Sequence, residues 1–244
     1  MTDTTASKAP AGSGLFTMAA MQKVVAFAVL LLLLVFFSIF APNFAAWNNM
    51  VNIMQATAVN GVLGVAVTFV IISGGIDLAV GTMMTLTAVT AGLVLTNLGL
   101  PLPFGILGAL GSGAIMGAFS GVCIAKLKIP PFIATLGMMQ IARGLALVFS
   151  GAKPIYFNST PSYKYISPES SITNLIPGLE VPNGVLVMFG VAIVASIVLN
   201  RTLFGRYIFA LGSNEEAARL SGMNVDFWKI STYALSGAIC GIAG

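Results

Sequence analysis

VVAFAVLLLLLVFFSIFA, residues Val24 to Ala41, carries no charged side chain and is apolar almost without interruption. At about 1.5 Å per residue, a helix over this run approaches the roughly 30 Å hydrocarbon thickness of a bilayer. The run is too long for a typical signal-peptide core, and the FAPNFAA sequence around its end has no small-residue cleavage pattern. It therefore reads as a retained membrane helix that Pro42 ends.

Outward from this helix, the same reading repeats. Residues 1–23 are rich in Thr, Ala, Ser and Gly, carry Lys8 and Lys23, and read as a flexible cytoplasmic tail. Further spans are expected at Val51 to Ile72, Thr82 to Gly99, Phe104 to Ala125, Pro131 to Ser150, Gly184 to Leu199 and Phe227 to Gly244. The expected fold is all-α, a polytopic transmembrane helical bundle with seven helices over residues 24–244. The last span stops at Gly244 without a flanking charge or polar tail, so the chain is expected to be incomplete at this end.

Composition agrees, since 57% of residues are hydrophobic and 7% are charged, against roughly 25% charged in soluble domains. The net charge of +4 comes from cations scattered singly between apolar runs, which argues against nucleic acid as a partner. With the N-terminus inside, Lys8, Lys23, Lys126, Lys128, Arg201, Arg206, Arg219 and Lys229 fall on the cytoplasmic side. Lys153 and Lys164 fall outside, and Arg143 alone lies well within a span. This balance makes residues 151–183 an external loop and residues 200–226 a cytoplasmic one. The chain has no histidine, its two cysteines sit in apolar runs, and Asp77 is the one carboxylate close to the spans. No metal site, cofactor or acid–base catalysis is indicated, and no enzyme activity is expected.

Between two apolar runs lies SNEEAARLSGMNV, Ser213 to Val225. Ser213 and Glu216 fit a capping box, Glu215 can pair with Arg219 one turn on, and Gly222 supplies a stop. Ala217, Leu220 and Met223 can form an apolar face whose register is set by Glu215, Glu216 and Arg219, as a helix docked in a partner's groove requires. A solvated amphipathic turn is the plainer alternative. A second cluster, ISGGIDLAVGT, spans Ile72 to Thr82. Gly74 and Gly75 allow a tight or left-handed turn, and Asp77 can cap the following helix. An ionisable group in so apolar a setting is also a candidate for gating or solute passage.

These two clusters, together with GRYIFALG (Gly205 to Gly212), YALSG (Tyr233 to Gly237) and KLKIPPFIATLGMMQIARG (Lys126 to Gly144), resemble the permease subunits of bacterial ribose-type monosaccharide importers driven by ATP. The family's GGIDLSVG is matched with Ala79 in place of the commoner Ser, and its INV appears with Met223 in place of Ile. The resemblance implies a dimer of permeases in the bacterial inner membrane, a periplasmic sugar-binding protein that delivers solute, and an ATP-binding cassette subunit that grips the Ser213 to Val225 helix. No phosphate-binding G-x-x-x-x-G-K-[ST] loop occurs in the chain, so ATP is expected to be bound in trans.

Several polar positions remain. Asn60, Thr68 and Thr85 are pathway candidates with Gly74, Gly75 and Asp77, since their side chains can hydrogen-bond a polyol or, equally, a neighbouring helix. Counting along the fifth span puts Arg143 past the midplane, whereas Asp77 is expected near the inner ends of its flanking spans. The two can meet only if the chain after Ser73 re-enters the membrane. Gly113, Gly117 and Gly121 form a stripe suited to close helix packing, within a subunit or between two. A secondary carrier or a channel for small neutral solutes is the competing class, and a truncated, inactive permease is a third. A proton-coupled carrier would want more intramembrane acids or histidines, and a channel has no use for a charged docking helix.

Overall fold

The computed structural model describes residues 13–156 and 181–244. Among these the chain is helical: α1 (Ser13–Phe40), α2 (Trp47–Ile72), α3 (Val80–Thr96), α4 (Leu102–Ala125), α5 (Pro131–Ser150), α6 (Asn183–Arg201), α7 (Leu203–Ser213), α8 (Glu215–Leu220) and α9 (Val225–Ala243). The expected loop 151–183 falls largely outside the described residues.

Residues up to Met50 form one compact unit and Val51–Gly244 a second. In the first, α1 begins at Ser13, upstream of the expected start of the span. The turn after it is closed by Phe37 stacking near Phe44, with ring centroids 5.5 Å apart, and by the Asn49 amide donating to the Phe44 carbonyl at 2.8 Å.

Each of the seven expected spans corresponds to a helix, but α3 and α9 differ in kind from the rest. Five helices, α1, α2, α4, α5 and α6, are long and apolar enough to cross a membrane, whereas α3 has only 17 residues. α9 is 19 residues long but has Asp226 in its first turn and carries Lys229 and several hydroxyls. Both helices are enclosed by protein in the second unit, with Met83, Leu86 and Thr87 of α3 and Thr232, Tyr233 and Ser236 of α9 buried. An enclosed helix tolerates polarity that a lipid-facing one does not.

The closest packing is between α4 and α9, and its cause is the glycine stripe. A Cβ on Gly113 would strike the Gly237 carbonyl, one on Gly117 the Tyr233 carbonyl, and one on Gly121 the Cα of Ile230 at 2.7 Å. Contacts therefore run up α4 as they run down α9, making the pair antiparallel. That direction is the one expected for helices separated by two further crossings, α5 and α6. Small residues here let two backbones approach within the subunit. The remaining core, including Val62, Phe69, Met83, Met138, Ala142 and Ile208, fills the space among α2, α3, α5 and α7.

The expected cytoplasmic loop 200–226 is mostly ordered into α7 and α8. Thr202 starts α7, its hydroxyl accepting from the Gly205 N–H at 3.5 Å, and Ile208 and Leu211 bury its inner face.

Candidate functional site

The segment from Ser73 to Ala79 departs most from expectation. α2 ends as Gly74 takes φ +78, and the Gly75 N–H reaches back to the Val70 carbonyl at 2.9 Å. The chain then runs unwound beside α9. Tyr233 donates its hydroxyl to the Ile76 carbonyl at 3.1 Å, and Ser236, one turn further along α9, donates to Asp77 Oδ2 at 3.3 Å. Asp77 Oδ1 accepts the Ala79 N–H at 2.9 Å.

Depth follows from two rulers. Ser236 lies eleven residues beyond Val225, about 16 Å along α9. Its neighbour Gly237 abuts Gly113, at the middle of α4. Asp77 is therefore near mid-bundle and only 5% exposed, which corrects its expected place near the inner helix ends. The left-handed turn at Gly74 sends the chain back inside, where Ser73, Asp77 and Ala79 are buried while Ile76 and Leu78 are exposed, and Tyr233 and Ser236 supply hydrogen bonds to the unwound segment. Asp77 closes a turn two residues long and is not the α3 cap, a position held by Ala79 with no side-chain bond.

Below this turn a cavity of about 240 Å³ is lined by Ser73, Gly74, Gly75, Gly212, Glu215 and Lys229, among others. The two motifs of the sequence meet here. A Cβ on Gly212 would strike the Ile72 carbonyl, so the end of α7 lies directly against the end of α2.

α8 follows from a break at Asn214, whose φ of −159° and ψ of 102° are extended. Asn214 Oδ1 accepts the Ala217 N–H at 2.9 Å and is the cap. The expected Ser213–Glu216 capping box is thus corrected, because Ser213 remains the last residue of α7. Gly222 ends the helix with φ +87, as its type suggests. Charges then tie α8 down. Glu215 receives Lys229 of α9 at 2.6 Å and Arg219 at 3.4 Å; Asp226 receives Lys128, from the α4–α5 turn, at 3.4 Å and Arg219 at 3.8 Å. The hydrogen bond from Lys229 holds the Glu215 carboxyl below its usual range.

The faces of α8 are distinct. Ala218 is buried with Leu211 and Val225, and Met223 packs against that cluster instead of joining Ala217 and Leu220 in an outward face. The turn after α8 folds the chain back over the helix, which is why Met223 points inward. Glu216, Ala217 and Leu220 face out, with Leu220 84% exposed.

A second cavity, about 350 Å³, lies between α3 and α5, lined by Thr82, Thr85, Val89, Arg143, Ala146, Leu147 and Ser150. Asn60 and Thr68 are exposed on α2 and line neither cavity; the Thr68 hydroxyl donates to its own helix at Gly64.

Residues 49–244 match the family described as the permease component of branched-chain amino acid transport systems. Over 233 residues the chain is 37% identical to the ribose import permease protein of Escherichia coli strain K12, covering 96% of this chain and 71% of that one. The chain belongs to this permease family. It is also 38% identical over 222 residues to the fructose import permease protein of Rhizobium meliloti, covering 88% of this permease and 60% of that one. The L-arabinose transport system permease protein of Escherichia coli strain K12 is 36% identical over 207 residues, 85% of this chain and 60% of its own. No solved structure matches the chain.

The permease is a multi-pass membrane protein in which Gly74, Gly75 and Glu215 share the lower cavity, Thr85 lies in the upper one, and Asp77 sits between them in the chain. Sequence reasoning missed Asn214, Ala218, Lys229, Tyr233 and Ser236. Asn214 had a detectable signal, a cap-type residue just before the acidic first turn of α8. The other four owe their roles to contacts between helices, for which one sequence gives no spacing.

Proposed function

We propose that this permease is the membrane subunit of an ATP-driven importer for a monosaccharide or a similar neutral polyol. ATP is hydrolysed in a separate ATP-binding cassette subunit that docks on α8. The observation that carries the reading is the two-sided character of that helix: Glu215 and Ala218 bind it to α9 and α7, while Glu216, Ala217 and Leu220 stand outward. A helix anchored on one side, with Leu220 standing out beside Glu216 on the other, suits helix-in-groove recognition and passes a partner's motion inward. The ribose, fructose and arabinose permeases similar to it support the solute class. The excess of cations on the α8 side supports a cytoplasmic N-terminus in the bacterial inner membrane. A second permease copy and a periplasmic sugar-binding protein complete the assembly.

Co-expression with a candidate ATPase, then reconstitution in ATP-loaded vesicles with binding protein and labelled pentose outside, tests this. Wild type is expected to accumulate sugar, and Leu220→Ala and Glu216→Ala to lose both uptake and ATPase co-purification while remaining as heat-stable as wild type. Variants that transport and co-purify like wild type would place the docking surface elsewhere.

A further inference from the structure

The cavity between α3 and α5 is open on one side, with Arg143, Thr85 and Leu147 exposed along it. Arg143 is the chain's one cation well inside a span, and among the described residues it has neither an ion pair nor a hydrogen bond. The acid that could have neutralised it is engaged elsewhere, Asp77 being held by Ser236 and the Ala79 N–H. Charged side chains at this depth persist where they face a polar cavity or partner, and are rare otherwise.

The walls around Arg143 are specific. Thr82 and Thr85 on the first turns of α3, and Ser150 at the end of α5, place hydroxyls along the cavity, with Val89, Ala146 and Leu147 between them. From Arg143 to Ser150 the α5 wall rises about 10 Å. Each lining hydroxyl donates its proton to its own helix: Thr82 to Ala79, Thr85 to Gly81 and Ser150 to Leu147. Their oxygens therefore stay free to accept. Arg143 supplies donors only. A ligand that both donates and accepts at several neighbouring atoms, with apolar C–H faces between, satisfies this wall, and a hydroxylated sugar ring has that pattern.

We infer that this cavity is the solute-holding site on the upper side of the Asp77 turn, and that Arg143 is its anchoring residue for a neutral polyol. The inference rests on the importer reading and names the residues of the path. Arg143→Gln keeps some donors and removes the charge; Thr85→Val keeps the shape and removes the acceptor.

The experiment measures, in the reconstituted transporter with ATPase and binding protein, sugar uptake and binding-protein-stimulated ATP hydrolysis side by side. Arg143→Gln is expected to lower the sugar moved per ATP by about tenfold, the size of one lost charged hydrogen bond, with hydrolysis unchanged, and Thr85→Val to lower it less. Equal ratios in wild type and both variants would overturn the assignment while leaving the importer reading intact. Absence of sugar uptake by wild type would overturn both. If Arg143→Gln fails to assemble, Arg143→Lys decides: it retains the charge at a different reach, and a wild-type ratio in that variant together with a wild-type ratio in Thr85→Val rejects the site.

Discussion

Ser236 donates its hydroxyl to Asp77 at 3.3 Å, joining the unwound chain after α2 to the middle of α9 across 159 positions of sequence. Together with the Tyr233 bond to Ile76, it fixes the re-entrant segment to the helix whose first turns hold α8. Motion of α8 can thus reach mid-bundle through one helix.

Replacing Ser236 with Ala leaves the buried carboxyl one donor short, at a cost of about 1–3 kcal/mol. The expected result is a lower unfolding temperature in detergent. In an Asp77→Asn background the same change should matter less, and a double-mutant cycle measures the difference. Asp77→Asn alone is expected to fold and assemble but to transport poorly, since the amide can still accept the Ala79 N–H while an NH2 donor replaces the oxygen that Ser236 meets. A cycle that shows simple additivity would mean that the two side chains do not interact.

The glycines of α4 make a sharper forecast. Gly117→Ala and Gly237→Ala push a methyl into backbone carbonyls that cannot rotate away, so overpacking of about 1–3 kcal/mol or more is expected. Gly111→Ala, on the same helix with open space at its Cβ, should be tolerated. Heating each purified variant and recording the fraction that stays monodisperse compares them directly. Equal stability of all three would refute the close α4–α9 approach.

Much of this architecture was legible because lipid makes apolar length informative. Val24 to Ala41 and the runs at α2, α4, α5 and α6 announce themselves by hydropathy. The depth of Asp77 was not legible. Hydropathy counts residues between helices and assumes a loop, whereas Gly74 turns the chain back inside, and only the bonds from Tyr233 and Ser236 reveal it. The cap of α8 was misplaced by a single residue for a related reason. Ser213 and Asn214 are both cap formers, and the extended backbone at Asn214, not residue type, decides between them.

The Glu215–Lys229 pair predicts a pH dependence of a definite sign. Its hydrogen bond lowers the folded-state pKa of Glu215 from an ordinary value of 4.5, so the stabilisation is complete above that value and is lost as pH falls through the lower folded-state one. Trp228, next in sequence to Lys229 and stacked on Tyr207 at 4.6 Å, reports the local packing. With Trp47 replaced by Phe, its fluorescence is expected to stay constant from neutral pH to about the ordinary glutamate value and to change below it. In Lys229→Met that acid transition should move up toward the ordinary value. A transition unmoved by the loss of Lys229 would assign it to another carboxyl.

The two faces of α8 call for opposite outcomes from the same substitution. Ala218 is buried with Leu211 and Val225, so Ala218→Asp places a charge among apolar side chains. Burying an unpaired charge is expensive, several kcal/mol after relaxation, so α8 should detach and limited proteolysis should cut between Asn214 and Met223. Leu220 is on the outside, and Leu220→Asp adds a charge where solvent already reaches. That variant should resist proteolysis as wild type does and lose only ATPase binding. The comparison separates a helix that folds because a partner holds it from one already anchored to α7 and α9. If both variants are cut equally, the anchoring contacts of Ala218 and Glu215 do not order α8 by themselves, and docking must supply the rest.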